Sequence, residues 1–399
     1  MTQTFVTKEG NPGREEGGKT LFGRQKYAGM ALYFWYGMRI GSWFELLKRN
    51  GFRITPNCFV QVAAVTLMTP FNSLLYRLSE AIYGGKVRDH EITQPPVFVL
   101  GHWRTGTTYL HDLFACDPEF GHPTTYQCFF PNHFLLTGKV ARLWFHLTLP
   151  EKRPQDNVDV GHDKPQEEEF ALCNMGLPSI YFSWALPRRG PVDHSHLDLR
   201  DLPAEDKARW KEGMAWFLKR VSYVAGKPLV MKSPTNTARV RALLELYPDA
   251  RFVHIARDPL ITYASTMRLW RTMLSIQGIE NPPQAEDWLE DYVLDTFEVL
   301  HRRYEEDRPL IPEGHLTEIT YEELVADPKG VMRRIYGDLG LGDFGRAEKE
   351  VDAYLASNAD YKTNRYETDP AKEAQLRTRW ADYFKRFGYD RKSGAPAEV

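Results

Sequence analysis

The sequence predicts an α/β fold with a central parallel sheet and a helical N-terminal extension. Three observations carry that reading. Four short apolar runs, Pro96–Gly101, Pro228–Met231, Arg251–Ala256 and His315–Thr320, have the length and composition of buried strands. Helices are expected after the first three, starting near Thr107, Thr235 and Leu260, and strand then helix, repeated, builds βαβ units. The first run also leads straight into Gly101-His-Trp-Arg-Thr-Gly-Thr-Thr108, a glycine-bounded turn that opens a helix.

In chain order, residues 1–26 are charged and Gly-rich, the composition of a flexible N-terminus. Residues 27–90 form the helical extension. Met30–Tyr36, Ile40–Leu47 and Phe59–Tyr83 are apolar at helical spacing, with Pro70 expected as a break or kink. These helices either cover the main core or form a monotopic platform, with aromatic and basic residues of the segment 27–85 in peripheral contact with a membrane. Residues 91–399 are assigned to one nucleotide-binding domain. Within it, 129–203 reads as an excursion of the kind that carries specificity. Trp288–Glu306 reads as a helix, and the tail from Ala371 as a final helix packing on the core.

Composition narrows the function. A net charge of −2 over 399 residues leaves no basic footprint for nucleic acid. Four cysteines without CxxC spacing read as free thiols in a reducing compartment. No secretory signal is visible, and no apolar run reaches the ~18 residues of a membrane span. The expected location is the cytoplasm, with membrane association open. No His, Cys, Asp and Glu pattern suggests a metal site.

The turn after the first strand has the shape of a phosphate cradle, with backbone N–H groups at a helix start aimed at an anion. Gly101 and Gly106 have Walker A spacing, which makes the fold a P-loop-like three-layer sandwich, but Thr107 stands where a nucleotide-hydrolysing loop has lysine. Arg104 supplies a cation inside the turn instead. Two more cations end strands: Lys232 in Met231-Lys-Ser-Pro234, and Arg257 in Ala256-Arg-Asp-Pro259, with Ser265 eight residues on. At the carboxyl edge of a doubly wound sheet, such side chains can meet one anionic ligand.

Taken together, these pieces resemble the sulfotransferases that use 3′-phosphoadenosine 5′-phosphosulfate (PAPS), nearest to a bacterial group related to tyrosylprotein sulfotransferases. The resemblance covers roughly 95–345 and includes Leu246–Phe252 and Thr320–Pro328. It implies sulfuryl transfer from PAPS, as co-substrate and without metal, to a hydroxyl or amine of a small-molecule, lipid or saccharide acceptor. It assigns Arg104 and Lys232 to the sulfuryl and leaving-phosphate oxygens. Thr105, Gly106, Thr107, Thr108 and Tyr109 fall to the 5′-phosphosulfate loop, Arg257 and Ser265 to the 3′-phosphate, and Tyr321 to the nucleotide. Lys362 and Arg365 match a late basic loop that closes over it.

The resemblance does not carry over a base. The place of the tyrosylprotein enzymes' glutamate reads Thr124–Gln127, and that of the cytosolic enzymes' histidine is Pro234. Glu167-Glu168-Glu169, entering a helix, is the dense acid cluster. Glu167 or Glu168 is taken as the base, against the simpler role of acids at a helix start. His102 and His162 stand in reserve. Two rival classes remain: a P-loop kinase or hydrolase, which needs a loop lysine and an acidic metal ligand, and a non-catalytic binding module on the same fold.

Overall fold

A computed structural model describes residues 33–148, 161–280, 286–359 and 369–390. Its sheet has four parallel strands: β1 (Val97–Leu100), β2 (Val230–Lys232), β3 (Arg251–Ala256) and β4 (Leu316–Thr320). They lie in the order β2-β1-β3-β4, with Val97 opposite Val230 on one side and Arg251 on the other. Strand periodicity sends alternate side chains to opposite faces. Phe98, Leu100, Met231, Phe252 and Ala256 join the larger core, and Val97, Val99, Val230, Val253 and Ile255 the smaller one. Both faces of the central β1 are covered, so it reads as an unbroken apolar run, whereas the edge strand β4, Leu-Thr-Glu-Ile-Thr, alternates half-buried and buried residues.

This strand order fixes the ligand's place. The chain leaves β1 towards β2 on one side and returns to β3 on the other. The crevice at the carboxyl ends of β1 and β3 is therefore the topological switch point, where open α/β sheets bind ligands. The loop after β1 carries Arg104, the turn after β3 carries Arg257, and β2 ends on Lys232.

The N-terminal extension holds α1 (Ile40–Arg49) and α2 (Phe59–Asp89). Residues 1–26, and Met30 to Leu32 of the first expected helical run, lie outside the described residues. Pro70 does not break α2, which runs straight through it. Proline cannot donate to the carbonyl four residues back, and here the Thr69 hydroxyl donates to that Thr66 carbonyl at 2.9 Å. The expectation that no segment could span a membrane is also corrected. An 18-residue window within Pro56–Asp89 reaches a mean hydropathy of 1.5, because Gln61, Thr69 and Asn72 interrupt the run without offsetting it.

The helix expected near Thr235 begins as a 3-10 turn, Pro234–Ala238, before an α-helix at Val240–Leu246. Glu286–Asp307 and Pro259–Gln277 match their expectations. The tail forms two short helices, Pro370–Arg379 and Ala381–Arg386. All four cysteines are free.

Candidate active site

The loop after β1 is held open by its backbone. Gly106 has φ +97°, and a Cβ there would lie 2.4 Å from the Tyr321 ring, so only glycine fits. Arg104 also sits at positive φ, +70°, an uncommon conformation for a non-glycine residue. The Thr105 hydroxyl donates to the His102 carbonyl at 2.7 Å, and Gly101 N–H donates to Thr237 Oγ1 at 2.7 Å. Thr105 is fully buried and serves loop closure. Helix α3 (Thr107–Ala115) starts immediately after, its free N–H groups at the crevice.

Lys232 and Glu167 meet beside this loop. Lys232 Nζ donates to Glu167 Oε1 at 2.7 Å and to Thr108 Oγ1 at 3.4 Å. The other Glu167 oxygen accepts from the Tyr181 hydroxyl at 2.6 Å, and that hydroxyl accepts from Trp103 Nε1 at 2.9 Å. Burial and the neighbouring Glu167 hold the Tyr181 phenol well above its ordinary range, so it stays a donor. A cavity of about 60 Å³ opens here, lined by Arg104, Glu167, Thr107 and Thr108 on the polar side and by Trp103, Phe170, Tyr181, Trp184, Pro234, Leu269 and Met273 on the other.

The three glutamates divide their work: Glu167 caps the helix Glu168–Met175 from extended backbone, while Glu168 and Glu169 are its first two residues and point about 100° apart. Glu167 faces the cavity. Glu168 is buried beneath it, accepting from the Lys232 backbone N–H at 3.1 Å and from the Asn236 amide. Burial pushes its carboxyl up to about 7. Glu168 thus joins a helix to a strand end and does not line the cavity. Glu169 is fully buried against Arg239, which grips it with both terminal nitrogens at 2.6 and 3.2 Å. The expectation that either Glu167 or Glu168 faces an acceptor narrows to Glu167.

Arg104 reaches across the crevice. Its Nε donates to Ser265 Oγ at 2.8 Å, and its carbonyl accepts from Arg257 Nη1 at 2.9 Å. It therefore contacts the Arg257–Ser265 pair while also lining the cavity with Glu167 and Thr108. The reason is local: the left-handed turn at Arg104 directs the side chain across the switch point towards the helix after β3. The Arg257 guanidinium lies 4.0 Å over the Tyr321 ring, and its buried Nε has no partner among the described residues. Tyr383 from the C-terminal helix locks the Arg257 turn, accepting from its N–H at 3.1 Å and donating to its carbonyl at 3.0 Å. The ring of Tyr109 stacks on Tyr354 at 6.3 Å between centroids.

Of the reserves, His102 is buried and donates from Nδ1 to the Trp103 carbonyl at 2.9 Å, with burial pulling it down to about 4. His162 pairs with Asp163 at 2.7 Å. Lys362 and Arg365 lie outside the described residues. Sequence reasoning missed Tyr181, Trp103 and Arg239. The one available signal was the aromatic density of Ile180–Trp184.

An anion-cradling loop that carries its own arginine, two strand-end cations and a carboxylate in a largely apolar cavity define an α/β group-transfer enzyme acting on an anionic nucleotide donor. The model of the Sulfotransferase family matches residues 95–344, and the chain belongs to that family. It is 37% identical over 365 residues to the omega-hydroxy-beta-dihydromenaquinone-9 sulfotransferase Stf3 of Mycobacterium bovis, covering 92% of this chain and 93% of that one. The protein of the same name from Mycobacterium tuberculosis matches equally. Among solved structures, sulfotransferase STF9 from Mycobacterium avium superposes with a TM-score of 0.64 at 20% identity, covering 92% of this chain and 95% of that one. STF1 from Mycobacterium tuberculosis gives 0.57 at 20% identity over 86% and 90%. These two show the shared fold. The kinase and non-catalytic alternatives give way to a sulfotransferase.

Proposed function

We propose that this enzyme transfers the sulfuryl group of PAPS to a hydroxyl at the end of a lipid chain, of the hydroxylated prenylquinone class. One observation carries the acceptor side: a single carboxylate, Glu167, held by Lys232 and Tyr181 in a cavity whose polar rim is Arg104, Thr107 and Thr108 and whose other walls are aromatic and aliphatic side chains. An apolar chain fits those walls, and its hydroxyl would find the carboxylate. The name of the 37% identical relative supports this acceptor class.

On the donor side, Arg257, Ser265 and Arg104 would hold the 3′-phosphate. The Gly101–Thr108 turn and the α3 N-terminus would hold the 5′-phosphosulfate. The orphaned Arg257 Nε supports an anionic ligand there. In the reaction the acceptor oxygen bonds to sulfur as the bond from sulfur to the bridging phosphate oxygen breaks. Glu167 takes the acceptor proton, and Lys232 stabilises charge growing on the bridging oxygen. Radiolabelled PAPS offered with an ω-hydroxylated polyprenylquinone, a phenol and a free sugar tests this. Labelling of the quinone alone is expected; labelling of the sugar or phenol in its place overturns the acceptor class.

A further inference from the structure

Helix α2 presents a continuous apolar face to solvent. Val60, Leu67, Phe71, Leu74, Leu78 and Ile82 are all exposed, at 79% for Val60 and 78% for Leu67. Their spacing of three, four or seven residues puts them on one stripe, roughly 33 Å long at the helical rise. Ile40 and Phe44 of α1, which packs on α2, are exposed as well. A face this size on a soluble surface calls for a partner.

Charge identifies the partner. Residues 39–89 carry seven Lys and Arg against three acids, Glu45, Glu80 and Asp89, in a chain whose net charge is −2. Glu80 is paired with Arg220, and Glu45 with Arg49. Arg53, Arg77 and Lys86 are exposed. Aliphatic and aromatic side chains flanked by unneutralised cations are the chemistry of an anionic bilayer surface.

The opposite side of α2 fixes its orientation. Asn72 donates to the carbonyls of Tyr36, at 2.6 Å, and Met38, at 3.0 Å; Thr69 and Ser79 are buried. α2 is thus bound to the fold along its length and lies flat instead of standing across a membrane. The same extension is anchored to the cavity walls. Trp35 Nε1 donates to the carbonyl of Gln277, on the helix carrying Leu269 and Met273, and Phe34 packs on Phe170 at 4.3 Å between ring centroids.

We infer that the α1–α2 face docks the enzyme flat on an anionic lipid bilayer, with the stripe from Val60 to Ile82 entering the headgroup boundary. This rests on the exposed face and its charge, not on the acceptor reading, and is measured without turnover. The test is co-sedimentation of the full chain with vesicles of phosphatidylcholine alone or mixed equally with phosphatidylglycerol. A triple variant, Leu67→Ser, Phe71→Ser and Leu78→Ser, and a double variant, Arg77→Glu and Lys86→Glu, are compared, with thermal melts to verify folding.

The wild type is expected to bind mixed vesicles, and salt and the double variant to weaken binding. The folded triple variant should bind at least ~10-fold less tightly. Absence of wild-type binding, or wild-type affinity in the folded triple variant, overturns the inference. So does a dimer in sedimentation equilibrium that the triple variant dissociates, which assigns the face to a second copy. Resistance of the bound protein to alkaline carbonate extraction overturns the flat geometry.

Discussion

Glu167 and Lys232, 65 residues apart in sequence, are locked in a 2.7 Å ion pair at the mouth of the loop, the lysine side chain 2% exposed and the glutamate 13%. On the roles proposed for them, the pair would link the two reacting ends. While Glu167 is ionised it holds the lysine; once it accepted a proton its attraction for Nζ would fall. The lysine would then be released to the oxygen that is gaining charge, and the proposed proton acceptance and leaving-group stabilisation would be coupled through one contact.

Glu167→Gln should therefore cut turnover ~10²–10⁴-fold, since it removes both the base and the charge partner of Lys232. Glu168→Gln should leave turnover within about tenfold, because its oxygens bind the Lys232 N–H and Asn236 away from the cavity. Steady-state kinetics at saturating donor, with folding checked by circular dichroism, reads both. A larger loss at Glu168 than at Glu167 would reverse the assignment.

The donor cluster makes a different demand. Charge-assisted contacts are worth about 1.5–3 kcal/mol each, so Arg257→Ala should weaken 3′,5′-ADP binding roughly ten- to a hundredfold and leave 5′-AMP almost unaffected. Arg104→Ala should share this selectivity, because its side chain bonds Ser265. Titration calorimetry with the two nucleotides checks it. Equal wild-type affinity for both nucleotides removes the 3′-phosphate role.

The parts of this site written locally were legible. β1, β3 and the loop between Gly101 and Thr108 are contiguous patterns, and Lys232 and Arg257 close strands whose apolar runs are visible. The choice among Glu167, Glu168 and Glu169 was not, since it depends on the phase of a helix docked on β2. Tyr181, Trp103 and Arg239 were hidden because their partners lie 14, 78 and 70 residues away. The bond from Arg104 to Ser265 was not legible, because a left-handed φ at a non-glycine residue leaves no mark in sequence.

The Glu169–Arg239 pair should matter for stability. Both side chains are fully buried, and Arg239 also donates to the carbonyls of Leu197 at 2.7 Å and His196 at 2.8 Å. Removing one partner of a buried pair costs about 3–5 kcal/mol, so Glu169→Ala should lower stability by that amount in urea titration. A variant as stable as wild type would mean that water or a rearranged Arg239 replaces the carboxylate.

Acid should destabilise the fold through its buried histidines. His102 and His254 are fully buried, and burial pulls each down to about 4 from an ordinary 6.5. Between those values the unfolded chain binds protons that the folded chain refuses. Stability is thus complete above pH 6.5 and declines as pH falls towards 4, by on the order of 3 kcal/mol for each histidine. Glu168 has the opposite sign: its raised carboxyl favours the fold at low pH, and that gain fades as pH rises from 4.5 through 7. A variant separates the two effects. His254 stacks on Tyr304 at 4.2 Å and Phe387 at 5.4 Å, and neither ring nitrogen has a hydrogen-bond partner among the described residues. Phenylalanine can fill that site without losing a bond, so His254→Phe should keep neutral-pH stability and flatten the loss between pH 6.5 and 4. Urea unfolding of both proteins across that window measures the difference. Parallel pH profiles would show that His254 takes up no proton on unfolding.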